Sequence, residues 1–530
     1  MNRRDILTAY KQGLVSTEEV IHRLKSMAAP HGLSEGQKGL WWLARMQPDS
    51  SAYHVPFGWA LQGSGDAGFW QQVLDALVKQ HPMLDSLIRV GPDGEATQVE
   101  AASGRARLQE HDIRTLAPDE VLPYLRRLVR QPMALQDGPP MRVHLLHRET
   151  EHIVLLVVHH IVCDGQSFQL LAHSLMDIAS RVERGEAPKI LPPAAGYADF
   201  VSWERALLAS DAGSRHLAYW RGQLAQPLPV LELPGDLPRH LSQRDQGRTH
   251  GLRIDDASRQ RIRVLASQLR VSPAVFFLAV YKLLLQRYSA QRDLIVGVPN
   301  VGRPEPRFEQ LVGYFINMVP VRSRIDPQES FAHFARALQL TLADGLEHAA
   351  YPFAALVRNL KVPRHAGQSP IFQVAYEYQS ASVVGEASGG ASDNGATAVR
   401  RVQGLNQEGE YELVLEVLEH TDGFGLNIKH DPQLFSAGYI DRLGKHLLNL
   451  VQSVLDEPQL ALHRHGMLGP DERRQLLVDW NRTGSDYPRQ QCTHELFAKQ
   501  ARYTPDAPAL SFQDGSLSYR ELDSRANGLA

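Results

Sequence analysis

Cysteine is nearly absent: Cys163 and Cys492 are the only two in 530 residues, too few for a disulfide framework, so a reducing cytoplasm is the expected compartment. Long apolar runs are missing as well. None approaches the roughly 18 residues of a membrane helix, and Met1 to Met27 is charged and helical in pattern, without the apolar core of a secretory signal. Neither secretion by such a signal nor a membrane span is expected. Nor does one sign of charge dominate: 56 Lys and Arg against 59 Asp and Glu leave −3, so no global field would hold a polyanion. Nucleic acid is therefore excluded as the main partner. What is present is ordinary globular material, 43% hydrophobic and 22% charged, in a chain several times the usual domain length. Two large lobes plus appendages are expected.

Residues 1–29 read as a helical pair. Ile6, Leu7 and Tyr10 precede Gly13, and a capping pattern from Ser16 to Glu19 opens a second run with Val20, Ile21 and Leu24. The pair is either a terminal helix docked on the main body or a docking element for an upstream protein. From Leu33 onward helices and strands alternate. Helices are expected at Phe69 to Val78, Phe168 to Val182, Ala257 to Leu269, Pro273 to Tyr288 and Phe331 to Leu342. Strands are expected at Met141 to Leu146, His152 to Val158, Leu294 to Val298 and Ile371 to Tyr378, with a hairpin from Leu413 to Leu418 and Gly425 to Lys429 across Thr421-Asp422-Gly423. Ser272 followed by Pro273 pins one helix start. This alternation reads as an α/β protein with one lobe over residues 30–205 and a second over 206–465. Between Gln379 and Arg400 a Gly/Ala/Ser-rich tract has too little bulk to pack and reads as a mobile loop. Residues 466–490 are polar and turn-rich, as a linker is, and a further domain begins over 491–530.

The segment HIVLLVVHHIVCDGQSF, residues 152–168, is the most informative. An apolar strand buried on both faces that ends in two histidines must find partners for their polar atoms. It delivers His159 and His160 to a cavity or a network. Asp164 and Gly165 follow on a turn, and a helix opens at about Ser167 with its N–H groups facing back. Three readings compete at this point. The histidines could be a satisfied core pair; His160 and Asp164 could ligate a metal, although they straddle a strand end and a turn and no HExxH pattern occurs; or His160 could carry acid–base chemistry.

His159-His160-Ile161-Val162-Cys163-Asp164-Gly165 resembles the HHxxxDG signature of condensation domains of nonribosomal peptide synthetases. SEGQKGLWWLARMQPDSSAYHVP (34–56) is similar to that family's opening motif, and YADFVSWE (197–204), LVGYFINMVPVR (311–322), AAYPFAALVRNL (349–360) and QSPIFQVAYEYQ (368–379) follow in the family's order. Coverage runs from about residue 30 to 465. The stretch LSYRELDSRANGLA (517–530) resembles the first core motif of adenylation domains, so the chain looks like one whole condensation domain and the start of an adenylation domain. The phosphate loop, acyl-transfer lysine and carrier-protein serine of a full module are not found in it.

The resemblance implies two chloramphenicol-acetyltransferase-like lobes in a V, with a tunnel at their junction. It implies an acyltransferase of natural-product assembly lines, hybrid polyketide and peptide lines included, that joins a carrier-bound donor acyl thioester to the amine of a carrier-bound aminoacyl thioester. No cofactor or metal belongs to the domain; phosphopantetheine arms are supplied by an upstream donor carrier protein and a downstream acceptor carrier protein, with an adenylation domain in cis. By the same resemblance His160 is the catalytic residue and His159 is structural. Asp164 pairs with Arg303 of PNVGRPEP, Gly165 lets the backbone approach the thioester, and Asn317 lines the tunnel. Cys163 is a small buried filler rather than a nucleophile. One departure stands out: where relatives read RHxxLR this chain has His81 and Leu84 followed by Asp85, so that segment is left out of the site.

An epimerisation domain needs a second carboxylate element, not found in the second lobe, and a heterocyclisation domain would replace the histidines. A non-catalytic domain that recruits a tailoring enzyme and a free-standing coenzyme A-dependent acyltransferase remain as rivals. The intact signature stands against the first and the adenylation-like tail against the second. The donor chain, whether fatty acyl, polyketide or peptidyl, and the acceptor amino acid stay open.

Overall fold

The computed structural model of the chain describes residues 31–62, 66–100, 106–190, 193, 195–237, 247–362, 369–380, 399–402, 404–405 and 409–530, with Tyr10 and Ser16. The expected N-terminal helical pair and most of the Gly/Ala/Ser-rich tract lie outside these residues. Two units separate, Met1–Met467 and Leu468–Ala530.

The first lobe of the larger unit begins with β1 (His31–Gly32), α1 (Glu35–Met46), β2 (His54–Leu61), α2 (Ala67–Gln80), β3 (Ser86–Val90), β4 (Ala96–Glu100), β5 (Leu108–Asp112) and α3 (Pro118–Arg130). It continues with β6 (Met141–His147), β7 (His152–His159), α4 (Gly165–Glu183) and α5 (Tyr197–Leu208); α6 (Asp211–Gln223) follows and buries Trp220 in the core of the second lobe. The apolar run of β7 is sandwiched as its composition requires. Val154, Leu156 and Val158 point into one core with Leu171 and Leu175 of α4, while Ile153, Leu155 and Val157 point into another with Val121 and Leu125 of α3.

The second lobe contains β8 (Arg248–Asp255), α7 (Asp256–Leu269), α8 (Pro273–Ser289), β9 (Asp293–Asn300), β10 (Asn317–Arg324), α9 (Phe331–Glu347), α10 (Phe353–Leu360), β11 (Val374–Gln379), β12 (Val399–Arg401), β13 (Leu413–His420), β14 (Gly423–His430) and α11 (Ala437–Asp456). Its six-stranded sheet runs β10-β9-β11-β13-β14-β8, with β11 parallel to both neighbours. Helix α8 is apolar on almost every side because it crosses the middle of this core; Ser272 caps it by accepting the Val275 N–H. Among the described residues no single helix is long and apolar enough to cross a membrane. The bent α7–α8 pair has the length and composition together, but α8 is spent on the protein's own core.

Two features depart from the sequence reading. The strand expected from Ile371 starts at Val374, because Ile371 sits at φ 72 in a tight turn in which the Phe372 N–H donates to the Pro370 carbonyl. That turn drives the Phe372 ring onto Gly297 of β9, where a Cβ would lie 2.2 Å from the ring. The second departure concerns β12. No strand is expected at these residues, which fall in the span assigned to the second lobe and at the end of the tract read as a loop; β12 pairs antiparallel with β2 and forms the edge of the first lobe's sheet, β12-β2-β7-β6-β5. The Val402 N–H then donates to the Gly58 carbonyl, Arg126 of α3 holds the Gly404 carbonyl, and Leu405 enters the α3 core.

In the smaller unit, α12 (Pro470–Arg474) runs into a π-turn over Gln475–Asp479, followed by α13 (Thr493–Tyr503), a hairpin of β15 (Pro508–Phe512) and β16 (Gly515–Ser518), and α14 (Tyr519–Leu529). Ser518 caps α14 in a capping box with Glu521.

Candidate active site

Strand β7 ends at His159, and His160–Val162 form a single 3-10 turn before Asp164 caps α4. The helix starts at Gly165, two residues before the expected position, because the Asp164 carboxylate accepts the Ser167 N–H at 2.8 Å. The turn is locked from α1: Gln37 donates to the Ile161 carbonyl at 3.0 Å. His159 is buried, its Nδ1 accepts the Ile161 N–H at 3.1 Å, and burial first, then the neighbouring His54 and His160, hold its pKa well below the usual value. It is neutral at neutral pH.

His160 stands on the wall of the cavity. Its Nδ1 lies 2.5 Å from the Cys163 carbonyl oxygen, an atom that can only accept. Nδ1 therefore carries the hydrogen, and Nε2 keeps the lone pair. Burial lowers the His160 pKa, against smaller opposing contributions from Asp164 and the Cys163 carbonyl, so the neutral imidazole prevails at neutral pH. The Tyr314 ring meets it edge-on, with centroids 5.2 Å apart. Such a residue can orient an amine and accept its proton.

Asp164 and Arg303 meet across the two lobes as a bidentate pair at 2.9 and 3.0 Å, both almost fully buried at 1% and 3% side-chain exposure. The Phe315 N–H adds a third bond to Asp164 at 3.1 Å, and Arg303 also donates to Ser167 Oγ and the Leu311 carbonyl while stacking over the Phe315 ring at 4.3 Å. Both carboxylate oxygens are thereby committed to bonds that rivet the two lobes together. Gly302, at φ 68, makes the approach possible: a Cβ there would lie 1.7 Å from the Phe315 carbonyl oxygen.

Asn317 lines the cavity, but its amide is spent on backbone, donating to the Ala349 and Tyr351 carbonyls and accepting from the Phe353 N–H, which fixes the start of α10. Gly165 also lines the cavity, and a Cβ built on it meets nothing within 4 Å. Protein packing does not demand a glycine there. Cys163 is fully buried, and burial pushes its thiol pKa well up, which suits a filler. Asp85 is buried in the turn after α2 and is not among the cavity-lining residues. The 197–204 motif holds two others: Glu204 accepts the Glu35 N–H of the opening motif at 2.7 Å, and the Tyr197 hydroxyl donates to the Tyr314 carbonyl of the 311–322 motif at 2.6 Å. Glu35 also reaches Arg358 of α10 at 2.8 Å, a second ion pair between the lobes.

The cavity at the junction measures about 1650 Å³ and draws its walls from both lobes. Sequence reading missed one part of it. Glu377 of β11, Glu416 of β13 and Lys429 of β14 all line the cavity, with Lys429 2.9 Å from Glu416 and 3.5 Å from Glu377. The available signal was a charged residue, Glu377, Glu416 or Lys429, set between apolar or aromatic neighbours in each of three strands. Among the described residues no group of three or more His, Cys, Asp or Glu side chains is placed to hold a metal ion.

The family model described as Condensation domain matches residues 30–477. Polyketide synthase PksN of Bacillus subtilis (strain 168) is 38% identical over 498 residues, covering 94% of this chain and 9% of that protein. The chain spans about a tenth or less of the first curated relatives it matches. Among solved structures, a four-domain nonribosomal peptide synthetase bound to AMP and glycine superposes with a TM-score of 0.81 at 20% identity, covering 94% of this chain and 38% of that one. The X-domain from teicoplanin biosynthesis superposes at 0.75 with 21% identity, covering 83% of this chain and 98% of that one. These structural likenesses establish a common fold, the two-lobed chloramphenicol-acetyltransferase type expected from the motifs. With the family match spanning both lobes, the chain belongs to the condensation-domain family.

Proposed function

We propose that this domain condenses an acyl thioester on an upstream carrier protein with the amine of an aminoacyl thioester on a downstream carrier protein, with His160 as the residue that handles the amine proton. The reaction class, amide-bond-forming acyl transfer, is that of the family; the carriers and the roles of individual residues are our assignment. The carrying observation is the His160 tautomer: Nδ1–H is tied to the Cys163 carbonyl, so Nε2 is the proton acceptor on a residue that lines the cavity.

An acceptor α-amine with a pKa of roughly 7.7 to 8 is partly neutral at pH 7, so no strong base is required to generate the nucleophile. Its nitrogen attacks the thioester carbonyl, and the proton it must lose as the C–N bond forms passes to Nε2. Collapse of the tetrahedral intermediate breaks the C–S bond, and the released thiolate takes up a proton, leaving an amide and a free carrier thiol. The thiol belongs to a phosphopantetheine arm of the partner, not to a cofactor of this domain. The relative PksN is a polyketide synthase, which supports a polyketide or other acyl donor over an ordinary peptidyl one. The smaller unit is read as the opening of an adenylation domain, on the motif at 517–530.

The test is single-turnover amide formation with two loaded carrier proteins. His160→Ala is expected to lose about 10² to 10⁴-fold in rate. The wild-type rate falls below about pH 7.7 because the amine itself protonates, so the His160 contribution is read as the ratio of wild-type to His160→Ala rates, which should hold below pH 6.5 and fall only as pH drops through the lowered His160 value. A ratio that rises on acidification assigns His160 to charge stabilisation instead. The second reading, a recruitment domain, draws on the fold shared with the X-domain; a His160→Ala variant with undiminished rate, or a wild type without turnover, favours it.

A further inference from the structure

We propose that Glu377 forms, with the Glu416–Lys429 pair behind it, a polar subsite in the second-lobe wall of the cavity that receives a hydrogen-bond-donating group, hydroxyl or ammonium, of one of the two acyl chains. This inference rests on the condensation reading above.

Sheet register builds the subsite. Glu377 pairs with Glu416, and Glu416 pairs with Asn427, so one row crosses three adjacent strands. Lys429 lies two residues beyond Asn427 on the same face. Within the row Glu416 is complete: one oxygen takes Lys429 at 2.9 Å and the other takes Asn427 at 2.7 Å. An ion pair and an amide would be enough to satisfy a polar defect in a sheet. The second carboxyl group is surplus to that purpose. Glu377 holds a long 3.5 Å contact to Lys429 and a side-chain hydrogen bond with Glu416.

Exposure separates the three side chains. Glu416 and Lys429 are 9% and 12% accessible, whereas Glu377 is 26% accessible and lines the cavity. Burial and the neighbouring Glu416 raise the Glu377 pKa against the opposing pull of Lys429. A carboxyl group under that pressure gains most from a partner that brings a proton or a positive charge. Val298, Met318, Leu342, Phe353 and Val357 elsewhere on the wall offer no such recognition. A chain that is apolar throughout would leave Glu377 facing apolar surface, whereas a chain with a hydroxyl or amino substituent at the right depth completes it. Discrimination by a charged hydrogen bond is worth about 10- to 100-fold.

The experiment uses the full chain with carrier-loaded substrates in two matched pairs. One compares octanoyl with hydroxyoctanoyl and aminooctanoyl donors, the substituent walked along the chain, against a fixed alanyl acceptor. The other compares alanyl with seryl and diaminopropionyl acceptors against a fixed octanoyl donor. The expected result is that wild type prefers a substituted substrate in one arm by about 10- to 100-fold in kcat/KM, and that Glu377→Gln and Glu377→Ala reduce this ratio by at least fivefold. The arm that responds identifies the chain that is read. If wild type condenses every pair without preference, or if the preference survives both substitutions, the subsite is refuted while the condensation reading stands. Equal loss for all substrates with lowered thermal stability makes Glu377 structural and also refutes it. No amide from any pair with the wild type overturns the condensation reading itself.

Discussion

Replacing Asp164 by alanine should act first on folding stability and only through it on rate. The substitution removes a bidentate bond to Arg303, the bond from the Phe315 N–H and the cap on Ser167, while Arg303 stays 97% covered with no counter-charge. A lost cap costs about 1 kcal/mol and an abandoned buried charge about 3–5 kcal/mol. These overlap, so the total is placed at about 4 kcal/mol. A two-lobed body of this size has an unfolding entropy of roughly 0.9 kcal/mol per kelvin, which converts that loss to a Tm drop of about 4 °C. Differential scanning fluorimetry of Asp164→Ala, Arg303→Ala and the double variant supplies the assay. The double variant should be less destabilised than the sum of the singles by about 2 kcal/mol or more, since it strands neither charge. A soluble Asp164→Ala protein with unchanged melting and a large loss of rate would refute the rivet and place Asp164 in the chemistry. Strict additivity in the double variant would equally dissolve the pair.

Lys282 is fully buried, donates to the Val321 carbonyl at 2.7 Å, and has its pKa pushed down to about 7 by burial. The unfolded chain binds its proton up to about pH 10.5, so between pH 7 and 10.5 stability attributable to this group rises with pH, and below pH 7 its full penalty applies. Lys282→Met should therefore stabilise by about 2–4 kcal/mol at pH 6, with the gain fading toward pH 10 in urea titrations; no gain at pH 6 contradicts the assignment. Gly302→Ala forces a Cβ into the Phe315 carbonyl and should reduce both soluble yield and rate, more than Gly165→Ala reduces yield. Iodoacetamide on the native protein should add one label, at exposed Cys492, and leave buried Cys163 and the rate untouched; two labels under native conditions would show that the signature turn opens.

What the sequence revealed, and what it hid, follows from how far apart the cooperating residues lie. The signature from His159 to Gly165 is contiguous, so strand, turn and the presence of the helix were all legible, its start to within two residues, and β7, α8 and the β13–β14 hairpin followed from periodicity and capping alone. Arg303 and Asn317 were reached only through the resemblance of their segments to known motifs, since no local pattern ties either to residue 160. Glu377, Glu416 and Lys429 were missed because each looks like ordinary strand alternation until sheet register sets them in one row. The positive φ at Ile371 had no warning either, a β-branched residue being the last expected there. Strand β12 has only three residues, too few to show a period, and its partner β2 lies more than 330 positions earlier.

That crossing strand governs how this domain can be recombined with others. A chimera joined near residue 205 inherits its first sheet from one parent and the edge strand of that sheet from the other. The graft must then match Val402 to the bare backbone at Gly58 and Leu405 to the α3 surface, contacts that a junction chosen from lobe boundaries never inspects. Transplanting residues 399–405 together with the first lobe keeps one parent's edge intact. Expressed without them, that lobe ends at β2 with an unpaired row of N–H and C=O groups beside Trp59 and Leu61, a template for sticking to its own copies.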